Sequence, residues 1–338
     1  MLAASMLSGR RKMQDSVMLT AAFLVCASLA ATDAPSQNDI NWFFQHIKTN
    51  DTEKIKKLLG QTKEFLKGTS GKPAVLPLQA AVRYDHKDLV ALLLESGAEI
   101  NARAGMGYSA LHEAAGSDRK PEIAAFLIEK GADPNLADDH GGTPLHRAFL
   151  SKNFEVAKVL MSAKNFNIKA AINEEKRTAL HNAAGAGQKD LVELALQKGS
   201  DVDAADGSGW RPLHLACMSG PDVPAATKCA IVDLLISKGA KMDAETRSKE
   251  TPLHRAAGEG LADVVQTMLK RGALVNAKTE QGFTPLHHAC RCDQLETVKV
   301  LLQAKADPTV KDKNGQTPFS MAGEKTRTWL KESGLLKK

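Results

Sequence analysis

Thr251-Pro252-Leu253-His254-Arg255-Ala256-Ala257-Gly258-Glu259-Gly260 decides the fold, because its first four residues return throughout the chain. The block reappears as Ser109-Ala110-Leu111-His112, Thr143-Pro144-Leu145-His146, Thr178-Ala179-Leu180-His181, Arg211-Pro212-Leu213-His214 and Thr284-Pro285-Leu286-His287. Degenerate copies, Leu76-Pro77-Leu78-Gln79 and Thr317-Pro318-Phe319-Ser320, flank these. The copies start at 76, 109, 143, 178, 211, 251, 284 and 317, with spacings of 33, 34, 35, 33, 40, 33 and 33 residues. A period this regular marks a repeat array, and the single spacing of 40 marks an insertion.

Each block reads as a helix start. Threonine caps free backbone amides, and proline suits the first helical position, where its missing N–H costs nothing. A short first helix follows, with small residues such as Ala183-Ala184 and Ala256-Ala257 that let neighbouring units approach closely. After a turn at Gly258-Glu259-Gly260, a second helix places Val264, Val265, Met268 and Leu269 at helical spacing. It stops at Gly272-Ala273, where glycine tolerates a left-handed C-terminal residue. No single unit of this size buries its apolar face alone, so the units must stack.

The block, the period and endings such as Gly131-Ala132-Asp133-Pro134-Asn135 resemble the ankyrin repeat family over about residues 40–335. The resemblance implies an all-α repeat solenoid: helix-turn-helix units with projecting β-hairpin loops, stacked into a curved array. About seven full repeats are expected over 72–313. An N-terminal helical cap is expected over 38–67 and a C-terminal capping repeat over 314–336. A flexible joint is expected at Gly68-Thr69-Ser70-Gly71-Lys72-Pro73. The resemblance further implies a non-catalytic scaffold that binds a protein partner through hairpin tips and the concave face beside the first helices.

Composition fits that reading. Of 338 residues, 43% are hydrophobic but only 4% aromatic, so the core must come from Leu, Ala, Val and Ile. The formal charge of +6 is too mild, and too interleaved with acids, for a nucleic-acid stripe. The first 31 residues differ from the rest. Arg10-Arg11-Lys12 precedes an uncharged, mostly apolar run from Ser16 to Ala31, the order of a secretory signal peptide. Cleavage after Ala30 or Ala31 would export the chain to a periplasmic or extracellular space, with no stable membrane span left. The alternatives are an uncleaved anchor, or a misread start, since translation from Met13 would drop the basic residues. The last alternative makes the chain a cytoplasmic adaptor.

Several tempting chemistries fail on alignment. Six of the ten histidines end the repeated block, so they carry one structural role. His287-His288-Ala289-Cys290-Arg291-Cys292 lacks a recognised zinc spacing, and Cys290 and Cys217 fall where other units have a core alanine. No metal, cofactor or small-molecule substrate is expected. In an oxidising compartment Cys217 and Cys229, on either side of the insertion, form a candidate disulfide.

Candidate binding residues are the ones the repeat does not explain. Directly before the block stand Tyr108, Gly142, Arg177, Trp210, Glu250, Phe283 and Gln316. Three aromatics among seven is a high share for this chain, and such rings suit interface anchors. Met106, His140, Arg247 and Lys278 stand nearby in the expected loops. The insertion around Ser219-Gly220-Pro221-Asp222-Val223-Pro224 is a further candidate contact. The stretch Lys164 to Lys176, which lacks the usual Gly-Ala ending, is expected to loosen its unit.

Overall fold

The computed structural model describes residues 34–68, 70, 74–116, 121–218, 220 and 222–336. The leader expected over 1–31 and most of the joint at 68–73 lie outside the described residues. Among the described residues the first elements are α1 (Gln37–Lys48), α2 (Thr52–Gln61) and a 3-10 turn over Lys63–Lys67. Helix pairs follow: α3 (Pro77–Arg83) with α4 (Lys87–Glu95), α5 (Ala110–Ala115) with α6 (Pro121–Glu129), and α7 (Pro144–Leu150) with α8 (Phe154–Ser162). Next come α9 (Ala179–Gly185) with α10 (Lys189–Gln197), and α11 (Pro212–Ala216) with α12 (Ala225–Ser237). The last pairs are α13 (Pro252–Gly258) with α14 (Ala262–Lys270), and α15 (Pro285–Arg291) with α16 (Leu295–Gln303). A 3-10 turn at Pro318–Met321 and α17 (Glu324–Glu332) end the chain.

These helices are too short to be stable in isolation, so burial must hold them. First helices pack on first helices and second on second, unit by unit. The block leucines Leu111, Leu145, Leu180, Leu213, Leu253 and Leu286 are all buried. So are the pairs Ala114-Ala115, Ala183-Ala184 and Ala256-Ala257, with Ala289-Cys290 in the same place. Val264, Val265 and Met268 of α14 close the core from the other side. One continuous apolar cluster therefore runs from Phe43 in α1 to Leu330 in α17.

The ends are sealed differently. In the N-terminal cap, Ile55, Leu58 and Leu59 face inward and Phe43 stacks on Phe65 with ring centroids 4.8 Å apart. At the other end, Asp293 accepts hydrogen bonds from Thr326 N at 2.7 Å and Lys325 N at 3.1 Å, which pins the start of α17 to the last full unit.

The loops between units depart from the expected β-hairpins. Among the described residues there are isolated bridges, such as Ala104 with Tyr108, but no strands. The first finger is closed by two backbone bonds between Ala104 and Tyr108, and the later ones by one backbone bond and one side-chain cap. Asp206 N donates to Trp210 O at 2.8 Å, while Asp206 Oδ1 accepts from Ser208 N and Trp210 N at 2.8 and 2.9 Å. Asp138 and Asp312 repeat this arrangement. A carboxylate that occupies the turn amides leaves no donors for a ladder. Asp206 is thus buried structure rather than an exposed contact.

Two irregular units are better anchored than their sequences imply. The finger at 164–176 sinks Ile168 and Ile172 into the core, and Ile172 O accepts from Thr143 N at 3.1 Å. The insertion is absorbed partly by α12, which has 13 residues where most other second helices have 9. Val223 then seats against Gly187, whose φ of +67° and lack of a side chain both matter: an added Cβ would lie 2.5 Å from Val223. Ser219 and Pro221 of the insertion lie outside the described residues.

Truncating a fully buried block leucine removes core volume shared by adjacent units. Leu180→Ala is expected to cost about 2–5 kcal/mol in denaturant unfolding. A loss under about 1 kcal/mol would contradict the continuous core.

Candidate protein interface

The repeated histidine explains how one unit aligns the next. In α5, α9, α13 and α15 the ring completes a capping box, taking the part usually played by Glu or Gln. Its Nδ1 accepts the backbone N–H of the block's first residue, as from Thr251 N to His254 at 3.2 Å. The same nitrogen lies 2.8 Å from Thr251 Oγ1, within reach of the hydroxyl proton. With Nδ1 used as an acceptor, the ring proton must sit on Nε2. Nε2–H then donates into the following unit: His112 to Gly142 O at 3.0 Å, His181 to Trp210 O at 3.1 Å, and His214 to Glu250 O at 3.1 Å. His254 reaches Phe283 O at 3.0 Å and His287 reaches Gln316 O at 3.2 Å.

Gln79 does the same work in the first unit. Its Oε1 accepts from Leu76 N at 3.0 Å and its Nε2 donates to Tyr108 O. His146 is the exception. Arg177 O, its expected acceptor, takes the Ile172 N–H at 2.7 Å, a finger closed one residue wider than the others, and His146 is left half-buried beside Asn173. The irregular finger therefore costs one rung of this ladder.

In the other five block histidines neither nitrogen is free for a metal or a proton transfer. Burial lowers every block histidine from its ordinary value, His214 and His254 to about 4. His288 falls to about 3, through burial first and then the nearby His254 and Arg291. Burial also pushes Cys217 and Cys290 up to about 12, so both are inert core thiols. Cys217 Sγ lies 3.9 Å from Met268 Sδ. Cys217 and Cys229 are free thiols in this structure, the latter half-buried on α12. Among the described residues no group of three or more His, Cys, Asp and Glu is placed to hold a metal ion. Among the same residues no helix is long and apolar enough to cross a membrane.

The candidate contact residues divide into two groups. Met106 and His140 are exposed on the first two fingers, and Arg247 and Lys278 on two adjacent later ones. The fingers are tied to one another by single backbone bonds: Asp139 N to Met106 O at 3.1 Å, Arg247 N to Ser208 O at 3.2 Å, and Glu280 N to Ser248 O at 2.9 Å. Tips joined in this way present a continuous edge. Tyr108, Trp210 and Phe283, in contrast, are half-buried and already engaged. Each packs against the histidine of its own block at centroid distances of 5.6, 5.7 and 5.7 Å. Each also lies under an arginine: Arg147 over Tyr108 at 4.1 Å, Arg255 over Trp210 at 4.8 Å, and Arg291 over Phe283 at 5.3 Å. The rings are not open anchors, because a guanidinium covers the face a partner would use. Sequence reading found the rings and missed the arginines, which sit four or seven residues into the first helix, where no period singles them out.

The ladder makes two expectations. His254→Gln keeps an acceptor and a donor at the same reach, as Gln79 does, whereas His254→Ala strands Thr251 N in the interior at about 1–3 kcal/mol and leaves Phe283 O with the Thr279 N–H alone. Denaturant unfolding should therefore place the alanine variant well below the glutamine variant; equal losses would refute the shared bond. The second expectation concerns acid. These histidines titrate at 6.5 when unfolded and lower when folded, so their stabilisation is complete above pH 6.5 and is lost as pH falls towards 4. Thermal melts should drop across that window, and less steeply in a variant with Gln at 214 and 254.

Comparison with known proteins agrees with this geometry. A family model described as ankyrin repeats (3 copies) matches residues 43–138, 78–172 and 223–312, and one described as ankyrin repeats (many copies) matches 180–231. The chain is 32% identical over 152 residues to the human Ankyrin repeat and SOCS box protein 16, covering 45% of this chain and 33% of that one. It is 27% identical over 146 residues to a putative ankyrin repeat protein of fowlpox virus, covering 43% of this chain and 76% of that one. A 55-residue stretch is 40% identical to human Protein phosphatase 1 regulatory subunit 27, covering 16% of this chain and 36% of that one. The chain thus spans about a third of the length of two of these three relatives. Matched by family models over most of its length, and built from units joined through one repeated histidine, the chain belongs to the ankyrin repeat family.

Proposed function

We propose that this protein is an exported, non-catalytic scaffold that binds a protein partner through its finger tips and the first-helix surface beside them. One observation carries the reading. What the units share is spent on holding them together, and what differs between them lies exposed along one edge. All block histidines except His146 have both nitrogens bonded inside the array, so the most repeated chemical group has little left for a substrate. Met106, Arg247 and Lys278, each different and each exposed, are free to meet a partner. The relatives support the same class of role: one is named a regulatory subunit of a phosphatase, and another RelA-associated inhibitor. Export rests on Arg10-Arg11-Lys12 and the apolar run to Ala31.

Mass spectrometry of the protein from its native host should give a mature N-terminus near Ala31 or Thr32. An intact Met1 in the cytosol would sink export and leave the adaptor reading. For binding, the combined variant Met106→Ala, Arg247→Ala, Lys278→Ala should melt as the parent does yet capture its partner at least tenfold more weakly, measured by quantitative affinity purification. Undiminished capture would remove the finger tips from the interface.

A further inference from the structure

The arginines of the first-helix surface fall into two classes. Arg83 forms two hydrogen bonds with the buried Glu113 carboxylate, at 2.9 and 3.1 Å, and Arg177 meets the buried Asp206 at 3.3 Å. These charges are answered within the array. Arg147 and Arg291 are not, and Arg255 is answered only at the limit of an ion pair. Each is laid over an aromatic ring, and for Arg147 and Arg255 that ring comes from the finger one unit earlier. Neither Arg147 nor Arg291 has an ion-pair partner among the described residues, and Arg255 reaches Glu259 only at 4.0 Å. Nε of both Arg147 and Arg255 is buried without a hydrogen-bond partner.

Stacking holds a guanidinium plane in one orientation, which reduces the entropy lost when an anion binds to its free edge. An unanswered charge on a half-buried stem costs free energy until such an anion arrives. The planar fork matches a carboxylate, which it can bind through two parallel hydrogen bonds. In a unit between those of Arg147 and Arg255, Met218 follows the C-cap of α11 and is 38% exposed, which offers an apolar contact.

We propose that Arg147, Arg255 and Arg291 form a recognition row for an extended, acidic peptide segment of the partner, its Asp and Glu carboxylates taking the free guanidinium edges and an apolar residue meeting Met218. This inference rests on the protein-binding reading above. A single-stranded nucleic acid is disfavoured by the same geometry, because base stacking needs open ring faces and these are covered.

The test is selection of random 12-residue peptides on the purified full chain, followed by fluorescence anisotropy of the selected sequences. Selected peptides should be enriched in Asp and Glu. Their affinity should fall tenfold or more in R147Q/R255Q, and about threefold in R291Q, whose exposed side chain leaves the melt unchanged. R147K/R255K keeps the charge but loses the planar stack and should also bind several-fold more weakly. R271Q, on the second-helix side, should bind as the parent does. Three results overturn the proposal: selected peptides without acidic enrichment, acidic peptides held equally by R147Q/R255Q and R291Q, or tighter binding of a 12-nucleotide oligo-dT. If no peptide is selected while the finger-tip variant still loses its protein partner, the acidic row falls and the scaffold stands. If neither peptide nor protein binds, both fall.

Discussion

A neutral imidazole shared between two neighbouring units is the constraint on which the array depends. Its Nδ1 closes the start of its own helix and its Nε2–H reaches the carbonyl just before the next block. The bond works only in one tautomer and only without a second ring proton, because Nδ1 already faces an N–H donor. That requirement sets the distance between first helices and holds each finger base against the preceding helix. The apolar cluster supplies most of the stabilisation, but it is non-directional; the histidine supplies the register.

From this follows the character of the exposed edge. The pre-block residue is read by the ladder only through its backbone carbonyl, so its side chain is free to vary. The chain has used that freedom to place Tyr, Gly, Arg, Trp, Glu, Phe and Gln there. Where an aromatic stands, an arginine has come to lie on it and the histidine packs beneath. Each such layer is imidazole, ring and guanidinium in order from core to solvent. A rigid stack of this kind turns a long flexible cation into a positioned one, and binding surfaces gain affinity when less ordering remains to be done.

The irregular units show the same trade at a different balance. At 164–176 the chain gives up the rung from His146 and takes in exchange the burial of Ile168 and Ile172. At the insertion it lengthens α12 and rests Val223 on Gly187, so extra residues become packed structure rather than a free loop. Both departures keep the stack continuous. Directional bonding is expendable at one unit when apolar contact replaces it.

The repeat, the helix pairs, the core role of Cys217 and Cys290 and the structural role of the block histidines were determined by the sequence alone. A strict period forces each copy of a residue into one environment, so alignment reads that environment directly. Three things waited for the tertiary structure. Asp206 and its equivalents cap turn amides, which replaces hairpin strands with side-chain-closed fingers; local side-chain to backbone bonding leaves no periodic trace. His146 loses its partner where the irregular finger closes over five residues, Ile172 to Arg177, instead of the usual four. Tyr108, Trp210 and Phe283 are covered by Arg147, Arg255 and Arg291, a contact between residues 39, 45 and 8 positions apart. Pairings at unequal distances, two of them across a unit boundary, have no signature in a one-dimensional pattern, and they alone decide which surface is left for a partner.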